Sequence, residues 1–390
     1  MANVFLKPGR EARVASGHLW VYAGEIARVD GAVQDGAIVD VRTTRGKWLG
    51  RGFFTRQSAL AVRLLTHRPE EINEAFFRRR LLDAWTYRRR MLVATDACRV
   101  VYGEGDLLPG LIVDRYADVL VLQTLALGMD VRKELLLGIL TDLLQPEAVY
   151  ERNDPSVRTL EGLPRRSGWL AGERDPLVEI RDGPARFLVD VAAGQKTGFF
   201  LDQRDNRMAA AALVKDLDVL DAFCYTGGFA ILAALGGAKT VTAVDSSPEA
   251  LALARRSAEL NGVAGRCRFV EANVFDELRR LSDSRARFDA VILDPPPFAR
   301  TKDALERALG GYKEINLRAL KVLRSGGWLI TCSCSSHVGE TLLQQVVAAA
   351  AMDAKREVRL VETRGHARDH PVHPAMPETR YLSCLILEVR

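Results

Sequence analysis

From Leu217 to the C-terminus, short apolar runs alternate with longer segments of helical periodicity, and no other feature restricts the fold as strongly. The runs are LDVLDAF, TVTAVD, CRFVEAN, FDAVILD, WLITCSC, VRLVET and YLSCLILEV. Nearly continuous apolar strands belong to a sheet covered on both faces, and the intervening helices supply that cover. The pattern predicts an α/β domain over residues 186–390, a doubly wound parallel sheet, with the last two runs forming an antiparallel pair at its end.

In open α/β sheets ligands bind beyond the carboxyl ends of the strands. Four successive strands each deliver a polar residue there: Asp221, Asp245, Asn273 and Asp294. Taken singly, an acid or amide at a strand end is an ordinary helix cap. Four in register define a site. After Asp221 comes AFCYTGGFA, a turn in which Phe223, Tyr225, Thr226, Gly227 and Gly228 bring backbone close to a ligand before a helix begins. Asp245, followed by Ser246, ends the second strand, where a carboxylate can accept from both hydroxyls of a ribose. A dinucleotide fold would want G-x-G-x-x-G, and TGGFA lacks the third glycine; CYTGG also lacks a phosphate-binding lysine. Adenosine without phosphate fits better, which points to S-adenosyl-L-methionine as cofactor.

The upstream half is organised differently. Residues 1–70 hold short β-like runs with glycine turns, the clearest being AIVDVRTTRGKWLGRGFF around Arg45–Gly46, and predict a small β-barrel. Residues 71–185 predict a small α/β middle domain. It opens on an amphipathic helix with Phe77, Leu81, Leu82, Trp85 and Leu92 at helical spacing, and continues with hairpins around a second helix. The arginine triplets Arg78–Arg80 and Arg88–Arg90 on the first helix offer either an RNA path or a solvated face. Of 55 basic residues only 10 are lysine, and guanidinium forks suit phosphate. The six cysteines and the absence of a signal-peptide pattern predict a reducing cytoplasm, and no apolar run approaches the roughly 20 residues that span a bilayer.

Several stretches together resemble the RlmI-type 23S ribosomal RNA cytosine-5 methyltransferases. GHLWVYAGEIARVDG and GKWLGRGFF are similar to that family's N-terminal PUA barrel, and YGEGDLLPGLIVDRY to its middle domain. GQKTGFFLDQRDNR, DAFCYTGGFA, DPPPFA, GYKEINLRAL and SCS match its catalytic motifs in order. The resemblance implies a Rossmann-like class I methyltransferase sheet carrying a PUA-like barrel and a middle domain. It implies S-adenosyl-L-methionine as cofactor, with Lys196 and Phe199 joining the residues above. It also implies 23S ribosomal RNA as partner, no membrane, and room for a homodimer. Asn273 stands where the family often has an aspartate for the adenine amino group, and Pro297 replaces a common lysine.

Cytosine C5 is too weak a nucleophile to take a methyl group from a sulfonium unaided; a thiolate adding to C6 makes C5 enamine-like. Two cysteines end the fifth strand, Cys332 and Cys334. The resemblance implies a nucleophile seven residues after the second glycine of a Gly-Gly turn, and seven after Gly327 is Cys334. Thr331–Cys332–Ser333 offers the T-C-S triplet general among RNA cytosine-5 methyltransferases two residues early, so Cys332 is the competitor, while the RlmI-type pattern F-S-C-S aligns with Cys334. Asp294 would face the base, bonding its N3 and exocyclic amine. A zinc site would want four ligands, and His366, His370 and His373 lie in a turn-rich stretch that reads as surface loop. Two other functions compete: guanine-N7 methylation, which needs no cysteine, and a non-catalytic RNA-binding assembly role.

Overall fold

The computed structural model describes residues 1–298, 305–335 and 337–390. The chain forms two compact units. The first comprises Met1–Val178, Asp190–Phe199 and Arg368–Thr379, and the second Glu179–Val189, Phe200–Ala367 and Arg380–Arg390.

In the first unit, glycine-punctuated runs pair into a six-stranded sheet in the order Trp20–Tyr22, Leu60–Thr66, Trp48–Phe54, Ile38–Thr43, Ala2–Leu6, Ile26–Asp30. The hairpin read around Arg45–Gly46 is present as the antiparallel pair Ile38–Thr43 and Trp48–Phe54. Val4, Leu6, Val39, Val41, Val62 and Leu64 fill its core, and Met376 joins them from the far end of the chain. A five-stranded sheet follows, in the order Arg166–Ala171, Ala148–Asn153, Val119–Thr124, Leu111–Tyr116, Ala97–Tyr102. Helices Glu74–Met91 and Lys133–Leu144 pack together, and their apolar side chains share one core with this sheet.

The Glu74–Met91 helix departs from its sequence reading. Its buried face is Phe76, Phe77, Leu81, Ala84 and Arg88, whereas Leu82 is exposed. Arg88 is fully buried. Its Nε donates to the Arg99 carbonyl at 2.8 Å, and Nη2 to Oδ2 of Asp106 at 2.7 Å and to the Asp369 carbonyl at 2.8 Å. A guanidinium so satisfied is a structural anchor, and neither an RNA path nor a solvated face describes it. Nor is the histidine stretch all surface: His370 is buried, with Nδ1 3.0 Å from Asp369.

The second unit holds seven strands: β1 (Asp218–Ala222), β2 (Thr240–Asp245), β3 (Cys267–Glu271), β4 (Phe288–Leu293), β5 (Leu323–Ser333), β6 (Val358–Arg364) and β7 (Ser383–Val389). Their order is β3–β2–β1–β4–β5–β7–β6. The first five are parallel, and β7 runs antiparallel to both β5 and β6. The strand order reverses direction between β1 and β4, which opens the crevice where ligands bind in such sheets. Leu220, Val291, Leu293 and Leu329 from the strands and Tyr312, Ile315, Ala319 and Leu320 from helix Leu305–Val322 build the core beneath it. Truncating Leu329 or Leu320 to alanine there would cost about 2–5 kcal/mol.

Candidate active site

The β1 turn is shaped by strain in residues that are not glycine. Phe223 and Tyr225 have φ of 67° and 49°, in the left-handed region that costs an L-residue about 1–2 kcal/mol. Such strain persists only where surroundings hold it. Here Cys224 N–H donates to the Val244 carbonyl at 3.0 Å, and Tyr225 N–H to Oδ2 of Asp245 at 2.8 Å. Gly227 follows at φ 80° as the cap of helix Gly228–Leu235. A Cβ there would sit 3.1 Å from Cβ of Ala254, so both the dihedral and the packing ask for glycine.

Asp245 is thus already oriented, with Oδ1 accepting from Ser247 N–H at 3.0 Å as well. A carboxylate has about four acceptor positions, so two amides leave capacity for hydroxyls. Ser246 beside it is exposed. Asn273 is exposed too, and its Oδ1 caps helix Val274–Asp283, accepting from Phe275 N–H at 3.0 Å and Asp276 N–H at 3.4 Å.

Asp221 is fully buried, and neither carboxylate oxygen meets a hydrogen-bond partner among the described residues. Burial first, then the charges of Asp294 and Asp245, push its carboxyl up to about 8, with the nearby Ala230 amide tempering the rise. Thr226 is buried with its hydroxyl likewise unpartnered among the described residues. Buried polar groups are seldom left this way in a finished site.

β4 and β5 end side by side. Asp294 follows β4, with Oδ1 accepting from Nε2 of Gln203 at 2.8 Å. Pro295 is buried while Pro296 and Pro297 are exposed; Ala299, the end of the DPPPFA stretch, lies outside the described residues. Cys334 follows β5, half-buried, with Sγ 3.6 Å from the Pro295 carbonyl oxygen. Cys332 is fully buried, and its thiol meets that of Cys384. That contact and burial together hold its pKa well above the ordinary thiol value. An aromatic cluster lies against the same strand ends: Phe298 stands 4.7 Å from Tyr312 and 5.6 Å from Phe275, and Phe223 lies 6.1 Å from Phe275. Sequence reasoning assigned no role to Gln203, Phe275, Phe298 or Tyr312. Gln203 and Tyr312 lie within GQKTGFFLDQRDNR and GYKEINLRAL, which were the available signal.

Lys196 and Phe199 belong to the segment Asp190–Phe199 of the first unit. Phe199 is buried, its N–H donating to the Tyr116 hydroxyl at 3.2 Å, and Lys196 is exposed with φ 54°. Among the described residues no group of three His, Cys, Asp or Glu side chains could hold a metal ion, and no helix is long and apolar enough to cross a membrane.

A 3-2-1-4-5-7-6 sheet with acids at the ends of β1 and β2 and a strained glycine turn between them defines a nucleoside-binding enzyme. Residues 164–376 match the family of S-adenosylmethionine-dependent methyltransferases, to which the chain belongs, and residues 4–67 match the PUA-like domain. A methyltransferase solved in complex with SAH superposes with a TM-score of 0.86 at 20% identity, covering 99% of this chain and 100% of that one. An S-adenosylmethionine-dependent methyltransferase from Streptococcus mutans gives 0.83, also at 20% identity, over 99% of this chain and 100% of its own.

More narrowly, the chain is a member of the ribosomal RNA large subunit methyltransferase I family. It is 42% identical over 395 residues to that protein from Aeromonas hydrophila, covering 100% of both chains. It is 41% identical over 385 residues to that of Klebsiella pneumoniae, covering 97% of this chain and 96% of the relative.

The residues present fit S-adenosylmethionine. Unpartnered oxygens at Asp221 and Thr226 await donors and acceptors. Asp245 keeps acceptor capacity beyond its two amides, and a cofactor bearing sulfonium and ammonium charges suits strand ends that gather Asp221, Asp245 and Asp294.

Proposed function

We propose that this protein methylates C5 of a cytosine in large-subunit ribosomal RNA, with Cys334 as the covalent nucleophile. The observation that carries the reading is the contrast at the end of β5. Cys334 is half-exposed beside the Asp294–Pro295 backbone, while Cys332 is sealed beneath it against Cys384. S-adenosylmethionine, when bound, supplies an electrophilic methyl group at the adjoining strand ends. The part of the chain itself is to activate the base. Cys334 gives up its proton and its thiolate bonds to C6, so the C5=C6 electron pair becomes available at C5. Asp294 holds the N3 and amine edge while charge accumulates there. Once C5 carries the methyl group, its hydrogen leaves as a proton, the C5=C6 bond re-forms and the thiolate is expelled.

Asp221, Thr226 and Asp245 hold the cofactor in this reading, with Phe223, Tyr225, Gly227, Gly228, Ser246 and Asn273 completing its surroundings. The PUA-like sheet grips RNA, chiefly through phosphates. The names of the relatives support ribosomal RNA as the substrate, and the place of work is then the cytoplasm. Guanine N7, already nucleophilic, would leave Cys334 without a task. The experiment is direct: incubate the enzyme with S-adenosylmethionine and unmodified large-subunit ribosomal RNA, digest, and identify the nucleoside. The expected product is 5-methylcytidine; 7-methylguanosine, or no modified nucleoside, overturns the reading.

A further inference from the structure

Amide side chains usually leave their oxygen and nitrogen ends ambiguous, because either end can be turned toward a partner. In the second unit one chain of amides carries no such ambiguity. Arg364 can only donate, and its Nε lies 3.1 Å from Asn206, which must therefore present Oδ1 to it. Nδ2 of Asn206 then points the other way, to the Gly365 carbonyl at 3.1 Å and to Oε1 of Gln203 at 2.7 Å. With its oxygen so engaged, Gln203 must present Nε2 to Oδ1 of Asp294, at 2.8 Å. Asn206 and Gln203 are both buried, so water does not readily compete for these bonds. The order of donors runs from an obligate cation to a carboxyl group without a free choice at any step.

We propose that Gln203 is a positioning residue that divides the labour of the two Asp294 oxygens, fixing Oδ1 as an acceptor so that any proton on the carboxyl resides on Oδ2. The inference rests on the proposed role of Asp294 at the base edge and deepens it. A carboxyl whose oxygens were interchangeable could present either a donor or an acceptor to a cytosine. The relay instead commits Oδ1 to accepting, with Arg364, Asn206 and Gln203 acting through Asp294 and none of them as a catalytic residue. The sequence stretch GQKTGFFLDQRDNR, which holds both Gln203 and Asn206, thereby acquires a physical task.

Gln203→Glu replaces the donor by a second carboxyl of nearly equal shape, and Gln203→Met removes the donor while keeping bulk. Both are compared with the full-length wild type in single-turnover methylation of unmodified large-subunit ribosomal RNA across pH, with thermal unfolding to confirm the fold. The residual rate of Asp294→Asn across pH identifies which limb of the wild-type profile Asp294 controls. A like charge beside a carboxyl raises its pKa, so in Gln203→Glu that limb moves to higher pH by roughly one unit, and the maximum rate falls by about tenfold or more. Gln203→Met lowers the rate similarly with a smaller upward shift, because the carboxylate loses a donor but gains no neighbouring charge. If folded Gln203→Glu and Gln203→Met keep the wild-type limb and rate while Asp294→Asn loses activity, the relay does not position Asp294 and the inference fails alone. If Asp294→Asn methylates at the wild-type rate, the role of Asp294 itself falls, and the inference with it.

Discussion

Cys332 stands directly opposite Cys384 in the antiparallel pairing of β5 and β7, each thiol buried against the other. Attack needs a thiolate, and a thiol so enclosed resists ionisation. Cys332→Ala should therefore retain methylation and lose about 1 kcal/mol of stability from the small cavity. Cys334→Ala should still bind cofactor but abolish methylation. Wild-type enzyme on RNA containing 5-fluorocytosine should form an adduct that survives denaturing electrophoresis, since fluorine cannot leave as a proton does. Loss of the adduct on changing Cys332, with retention on changing Cys334, would reverse the assignment.

Asp245 is held by two backbone amides, from Tyr225 and Ser247, before any ligand arrives. Its removal should weaken S-adenosylmethionine binding by about 1–3 kcal/mol, the range for a hydrogen bond to a charged group. Titration calorimetry of Asp245→Ala checks this, and wild-type affinity would remove Asp245 from the pocket.

Asp221 should make the cofactor-free protein sensitive to pH. Its carboxyl titrates near the ordinary 3.8 when unfolded and at about 8 when folded, so between those values the folded state binds one more proton. Stability must then fall as pH rises through that window, by up to about 1.4 kcal/mol per unit. Asp221→Asn removes the effect. Thermal unfolding should show the variant gaining over wild type at pH 8 and little at pH 4; an equal difference at both values would mean that Asp221 is not the titrating group.

Arg88 should matter for folding and not for RNA. Removing one partner of a buried ion pair costs about 3–5 kcal/mol, so Arg88→Met should lower the denaturation midpoint sharply. Arg89→Ala and Arg90→Ala, on the exposed end of the same helix, should leave it nearly unchanged. A neutral Arg88→Met would contradict the anchoring role.

What could be read from the sequence was local. The first four strands of the second unit are short runs with a polar residue at or just beyond the carboxyl end, so their positions and the places of Asp221, Asp245, Asn273 and Asp294 follow from short windows. The strained turn hid because Phe223 and Tyr225 are not residues that advertise a left-handed backbone; Gly227 is. Arg88 reads as surface because its charge is visible in sequence and its partners Asp106 and Asp369 are not. Gln203 meets Asp294 across 91 residues of chain, a separation that no periodicity reports. Leu82 was misplaced by a simpler cause: the buried stripe runs through Phe77, Leu81, Ala84 and Arg88, and an arginine occupies the position that hydrophobic counting would leave to a leucine.

The two units are not consecutive stretches of polypeptide, and this governs how the chain can be made. Domains usually fold as they emerge from the ribosome, N-terminal ones first. Here the early sheet takes Met376 into its core, and Arg99 N–H binds the Asp369 carboxylate 270 residues downstream. In the other unit β7 lies between β5 and β6, so the sheet cannot be completed until β7 itself has been made. Both units therefore mature together, after a long interval in which the nascent chain carries unfinished sheets. A ribosome-modifying protein of this architecture is itself a prolonged demand on the protein-synthesis machinery, and on whatever shields half-made strands from one another.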